Sequence, residues 1–250
     1  MSGARRIKLT VAYDGTNYAG WQRQLNAKSV QETLEKALFS LTGEEIAVTG
    51  ASRTDAGVHA LGQAAHFDTR SRIPAEKFCF ALNTRLPDDI RVTASEQASP
   101  AFHARYSARG KTYRYQIHNS PHASALYRLQ RAHVAKPLDT DLMRKAAQAA
   151  LGEHDFRAFA AAGGEARTTT RDIGRLDIAQ AGELIELTVT GRSFLYNMVR
   201  ILAGTLIYIG IGKLPPDAIA RALLTGNRLD LGITAPAHGL TLLKVYYDPE

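Results

Sequence analysis

The chain has 250 residues, with 31 Lys+Arg against 24 Asp+Glu and a formal net charge of +7, and 45% of its residues are hydrophobic. That mix excludes a mainly disordered chain, which carries too few apolar residues to build a core. A single cysteine, Cys79, excludes an internal disulfide, and with no secretion signal at Met1–Lys8 a reducing cytoplasmic setting is expected. The most apolar run, Ile201–Ile211, is about half the length a bilayer crossing needs, so no membrane span is expected.

In chain order, Ile7–Tyr13 alternates with period two and reads as a strand, followed by a turn at Asp14-Gly15-Thr16-Asn17. Ser29-Val30-Gln31-Glu32 has the form of a capping box. Behind it Val30, Leu34, Ala37, Leu38 and Leu41 share one helical face, and Gly43 closes the helix. Short strands are expected at Ile46–Thr49 and Ala64–Asp68, a helix from Pro74 to Leu82, and a strand through Ile90, Val92 and Ala94. The order β-α-β-β-α-β suits mixed α+β layers.

The second half reads as a looser version of the first. Lys111–His118 is a strand with Tyr113, Tyr115 and Ile117 on one side. Asp139 caps a helix running to Leu151 and closed by Gly152; Ala160–Ala166, with its Gly163-Gly164 pair, is a loop. Arg171–Ile178 and Leu184–Thr190 pair as strands, Phe194–Ile209 is a buried helix, Pro216–Leu224 another helix, and Leu240–Tyr247 a last strand. Two α+β halves are expected, residues 1–105 and 106–250, with a ligand cleft between them.

From Ala101 to Arg131 there is no Asp or Glu, while Arg105, Arg109, Lys111, Arg114, Arg128 and Arg131 alternate with Phe102, Tyr106, Tyr113, Tyr115 and Tyr127. Cations neutralise phosphates and rings stack on bases, which fits RNA. A solvated charged strand with its rings in the core fits the same residues equally well.

The segment Gly50–Ala60 (GASRTDAGVHA) follows a strand and sets Arg53 two residues before Asp55. An extended i, i+2 pair points the same way. A carboxylate beside a guanidinium stays ionised and oriented, which suits a nucleophile or electrostatic stabiliser. An Asp capping the next turn, with Arg53 solvated, is the competing reading. Arg200 stands in the most apolar helix and therefore requires a partner. Asp55 or a structural carboxylate elsewhere could supply it. His59 and His66 match no usual metal spacing and are expected to bond locally. His103, His118 and His122 fit RNA contacts or plain surface. Trp21 is expected to pack in core or loop and Cys79 to be inert. Phosphate-binding, zinc-protease and nucleophile-elbow motifs are absent.

The stretch Arg53-Thr54-Asp55-Ala56-Gly57-Val58-His59-Ala60 resembles the active-site loop of the tRNA pseudouridine synthase A family. Matches continue through Tyr13–Thr16 with Gly20-Trp21-Gln22, Lys111–Tyr115, Gly152-x-His154-Asp155-Phe156, Phe194-Leu195-x-x-Met198-Val199-Arg200, Gly204–Leu206 and Ala235-Pro236-x-x-Gly239-Leu240. The resemblance implies an α+β pseudouridine synthase fold, two halves with mainly antiparallel mixed sheets packed by helices around a central catalytic cleft. It implies isomerisation of uridine to pseudouridine at positions 38 to 40 of the tRNA anticodon stem-loop, without cofactor or metal, by a cytoplasmic homodimer. Asp55 would be the nucleophile and Arg200 its ion-pair partner. Tyr113 would pack on the target base, and Arg53 would fill the space the extruded nucleotide leaves and contact phosphate. Lys111 and Arg114 would add cationic contacts to the substrate. Two readings from other classes compete: a non-catalytic RNA-binding protein or chaperone, and a His-based ribonuclease.

Overall fold

Strands form where apolar side chains alternate, and in the computed structural model, which describes residues 3–164 and 166–248, most of the expected strands are present. The chain divides into two units, Met1–Arg109 with Leu242–Glu250, and Gly110–Thr241. The expected division fell at 105/106 and left the whole C-terminus in the second half. Here the chain returns to the first unit at Leu242, in the middle of its last strand.

The first unit holds β1 (Arg5–Tyr13), α1 (Val30–Thr42), β2 (Thr49–Gly50), β3 (His59–Thr69), α2 (Phe78–Asn83) and β4 (Ile90–Ala98). Strand β1 pairs antiparallel with both β3 and β4, with Ile7 opposite Phe67 and Leu9 opposite Ala65. Ile7, Leu9 and Val11 are fully buried on one face of β1. Helix α1 starts where Ser29 Oγ accepts the Glu32 N–H at 3.2 Å and ends at Gly43. The return half of the capping box is replaced, since the Glu32 carboxylate meets Lys36 one turn on at 2.7 Å. Val30, Leu34 and Leu38 face inward with no exposure, each contributing roughly 1.5–3 kcal/mol. Helix α2 packs on the sheet through Phe78, whose ring stands edge-on to Phe67 at 5.3 Å.

Three expectations in this unit shift. The strand at Ile46–Thr49 is reduced to Thr49–Gly50, and β3 begins at His59 rather than Ala64. The helix expected from Pro74 opens as a 3-10 turn over Ala75–Lys77 before becoming α-helical.

The second unit holds β5 (Gly110–Asn119), β6 (Ala132–Val134), α3 (Thr140–Ala147), β7 (Gly152–Asp155), β8 (Thr170–Ala181), β9 (Leu184–Gly191), α4 (Met198–Gly210) and α5 (Ala218–Thr225). Strands lie in the order β5-β9-β8-β7, antiparallel throughout, with β6 added parallel to β5. Asp139 caps α3 through the Leu142 N–H at 2.8 Å, as expected. The helix stops at Ala147, however, and tightens into a 3-10 turn over Gln148–Ala150. Gly152 takes φ 87° to open β7, so it begins a strand instead of closing a helix. Helix α4 begins at Met198, not Phe194, and every residue in it except Arg200 and Tyr208 is buried. The last strand, β10 (Leu240–Tyr246), neighbours β3 of the first unit from Leu242 onward. No helix is long and apolar enough to cross a membrane among the described residues.

Candidate active site

In the first unit the Arg53–Asp55 loop lies between β2 and β3, with its N-terminal end pinned to β3. Ala51 N–H reaches Ala64 O at 2.8 Å, and buried Gln63 holds Ser52 twice, accepting its N–H at 3.1 Å and donating to its carbonyl at 2.6 Å. At the crown of the loop, Val58 N–H closes a turn on Asp55 O at 3.1 Å. Thr54 turns inward, where its hydroxyl shares a 2.7 Å bond with Tyr13. On either side of it, Arg53 is exposed and Asp55 half-buried.

A second segment, residues 13–21, clamps that loop. Trp21 N–H donates to Thr54 O at 3.1 Å and Gly57 N–H to Tyr18 O at 3.3 Å. His59 Nδ1 lies 3.1 Å from Gly15 N and 3.1 Å from Asp14 Oδ1. Burial opposes the charge on Asp14, but two bonds from Thr16 and the neighbouring His59 outweigh it and hold its pKa below the ordinary carboxylate value. The clamp requires two glycines. A Cβ on Gly15 would lie 2.0 Å from Val58 O, and one on Gly20, at φ 93°, would lie 2.4 Å from Thr54 O. The backbones of the two segments are therefore closer than any side chain allows. Trp21 is buried, as expected, with its ring 6.0 Å from that of Tyr13.

The second unit contributes a different set. Tyr113 is buried on β5, opposite Val189, with its ring edge-on to Phe194 at 5.2 Å. Phe194 opens the segment that leads into α4 and Arg200, so one stretch of chain carries both the ring that Tyr113 meets and the guanidinium. Arg200 is half-buried. Its Nε donates to Ala235 O at 2.8 Å and its Nη1 to Asn197 Oδ1 at 2.7 Å. Nearby, Tyr115 is buried with its hydroxyl donating to Pro236 O at 2.9 Å. Burial pushes the Tyr115 pKa up, and the positive charge of Arg200 pulls against that shift.

Lys111 shares the Tyr113 face of β5 by alternation, whereas Arg114 lies on the other face. There its Nη1 stands 3.5 Å from Glu186, beside a Thr112–Thr190 hydroxyl pair. The acid-free stretch divides in the same way. Phe102, Tyr113 and Tyr115 are core, while Tyr106 and Tyr127 are exposed, the latter under the Arg131 guanidinium at 3.5 Å. His59 and His66 were expected to bond locally, but their partners Gly15 and Ala104 lie far from them in sequence. His66 Nδ1 accepts the Ala104 N–H at 3.1 Å, and burial with nearby Arg6 lowers its pKa to about 4. His103 Nδ1 accepts from Arg105 and Tyr106, both at 3.2 Å. Cys79 is buried. No group of three His, Cys, Asp or Glu side chains that could hold a metal ion occurs among the described residues.

Sequence reasoning missed Asn197 and Ala235, which supply acceptors to Arg200. Asn197 falls on an unspecified position of the Phe194-Leu195-x-x-Met198-Val199-Arg200 motif, and Ala235, though named in the Ala235-Pro236 motif, acts through its main chain.

Comparison with known proteins matches residues 9–107 and 146–248 to the family model described as tRNA pseudouridine synthase. The chain belongs to the tRNA pseudouridine synthase family. Among its relatives, the tRNA pseudouridine synthase A of Ruminiclostridium cellulolyticum is 54% identical over 244 residues, covering 97% of this chain and 100% of that one. The protein of the same name from Acetivibrio thermocellus is 50% identical over 243 residues, again covering 97% and 100%. That of Pelobacter propionicus is 48% identical with the same coverage, 97% and 100%. The pseudouridine synthase fold and its α+β class follow, as does an isomerase activity that converts uridine to pseudouridine in tRNA.

Proposed function

We propose that this pseudouridine synthase acts on uridines 38 to 40 of the tRNA anticodon stem-loop, with Asp55 as nucleophile and with no cofactor. The observation that carries the reading is the Asp55 loop itself: a half-buried carboxylate on a turn whose backbone is clamped by residues 13–21 and by Gln63. A group held this way loses little entropy on reaching its reacting geometry. The net reaction breaks N1–C1′, forms C5–C1′, releases the C5 proton and places a proton on N1, so it needs neither oxidant nor energy source.

A uracil in a stem is out of reach of any carboxylate until it leaves the stack, which costs a few kcal/mol. Arg53, exposed next to the loop, fills the space so vacated and contacts phosphate. Tyr113 packs on the base and keeps the detached uracil beside C1′ while water is excluded. Arg200, the single charged residue of α4, serves as counter-ion to Asp55. Lys111 belongs to the same substrate surface as Tyr113. Arg114, engaged with Glu186 on the opposite face of β5, contacts the RNA away from the base. The enzyme works as a homodimer whose two subunits share one tRNA.

Asp55→Asn is expected to abolish tritium release from tRNA labelled at uridine C5 while leaving the RNA at full length and much of its binding intact. Near-wild-type release would overturn the nucleophile assignment, and shortened RNA would point to a nuclease.

A further inference from the structure

Among the described residues, Asn197 is the one non-glycine residue with positive φ, at φ 61° and ψ 4°. Side chains other than Asn and Asp rarely tolerate that left-handed conformation. Asn197 also occupies the N-cap position of α4, where its side-chain oxygen would ordinarily accept one of the first helical N–H groups. It makes no such bond. Its Oδ1 accepts Nη1 of Arg200 at 2.7 Å instead.

We propose that Asn197 is a positioning residue that sets the direction of the Arg200 guanidinium, a proposal that rests on the assignment of Arg200 to the reaction made above. A guanidinium is planar, with its N–H groups in a rigid fork. Ala235 O fixes Nε at 2.8 Å, and Ala235 N–H returns to Arg200 O at 3.0 Å, so that side of the fork is tied to the backbone. The Asn197 bond fixes a second nitrogen. Two fixed nitrogens together with Cδ determine the plane, and with it the direction in which the remaining N–H groups point. The left-handed turn at Asn197 is what brings its short side chain back over the first turn of α4 to meet a residue three positions later. Both acceptors are neutral, so the positive charge of Arg200 is oriented without being neutralised by them. An aspartate at 197 would keep the backbone conformation and the acceptor. A glycine would keep the conformation alone.

Turnover and KM on tRNA labelled at uridine C5, in the full-length enzyme, separate these contributions, with rates normalised to the folded fraction. Asn197→Gly is expected to melt within a few degrees of wild type and to lower kcat by about ten- to a hundredfold, the loss typical of one bond to a charged group, with KM little changed. Asn197→Asp keeps an acceptor but adds a charge that competes with Asp55 for Arg200, so it is expected to lose turnover as well. A wild-type kcat in Asn197→Gly overturns the proposal, and so does a loss confined to KM. Arg200→Gln serves as the control. If it turns over normally, the assignment of Arg200 itself fails. If it is inactive while Asn197→Gly is normal, only the positioning by Asn197 fails.

Discussion

Gly20 determines how closely residues 13–21 approach the Asp55 loop, because its α-hydrogen points at Thr54 O where a methyl group would lie at 2.4 Å. Gly20→Ala must move one backbone or the other and must also hold an L-residue at φ 93°. Together these are expected to cost about 2–4 kcal/mol, a drop of roughly 5–15 °C in melting temperature for a chain of this size. Because Asp55 follows Thr54 directly, turnover should fall further than the folded fraction does. A calorimetric scan and a tritium-release assay on the same preparation check both, and wild-type values in each would show that the two segments do not bear on one another. At this scale the sequence reveals side-chain chemistry better than main-chain geometry. The Arg-Thr-Asp triplet was legible, and so was the need of Arg200 for partners. The roles of the partners identified, an alanine carbonyl and an asparagine amide, were not legible, since one is main chain and the other depends on a left-handed turn that asparagine permits but does not require.

Elements are legible where period and cap agree. Helix α1 shows both, and Ser29, fully buried at its N-cap, carries the clearest single-residue effect on stability. Ser29→Ala removes the acceptor of the Glu32 N–H and is expected to cost about 1 kcal/mol, visible as a fall of roughly 2–4 °C in melting temperature with tritium release per folded molecule unchanged. An unchanged melting temperature would mean that the cap contributes nothing. Strand β3 starts five residues before the expected Ala64 because Gln63, a polar residue within the sheet, interrupts the apolar run. Its amide is satisfied twice by Ser52, and such pairing is not visible in a one-dimensional pattern. Strands β6 and β7 span three and four residues, too few for any period to register. The end of α3 was misplaced because a glycine after a helix signals a stop without specifying how many residues before it the last turn tightens.

For the molecule as a whole, the formal charge of +7 and the acid-free run from Ala101 to Arg131 lead to a solution property. If exposed cations such as Arg53, Arg105 and Arg128 meet phosphates, tRNA affinity should fall by roughly a hundredfold between 50 and 200 mM salt for about four such contacts. A filter-binding titration measures this, and a flat response would remove phosphate contacts from the description of binding. Length and element order led to an expectation of two halves, since each repeats strands and helices of its own. The return of Leu242–Glu250 to the first unit was not legible, because a strand carries no sequence label for its neighbours. That return has a consequence for biosynthesis. A ribosome delivers this last strand of the first unit only after all of Gly110–Thr241 has been made, so the nascent first unit waits, one strand short, while the whole second unit is synthesised, and a transcript cut short anywhere between Gly110 and Leu242 yields a chain in which the sheet of the first unit is unfinished.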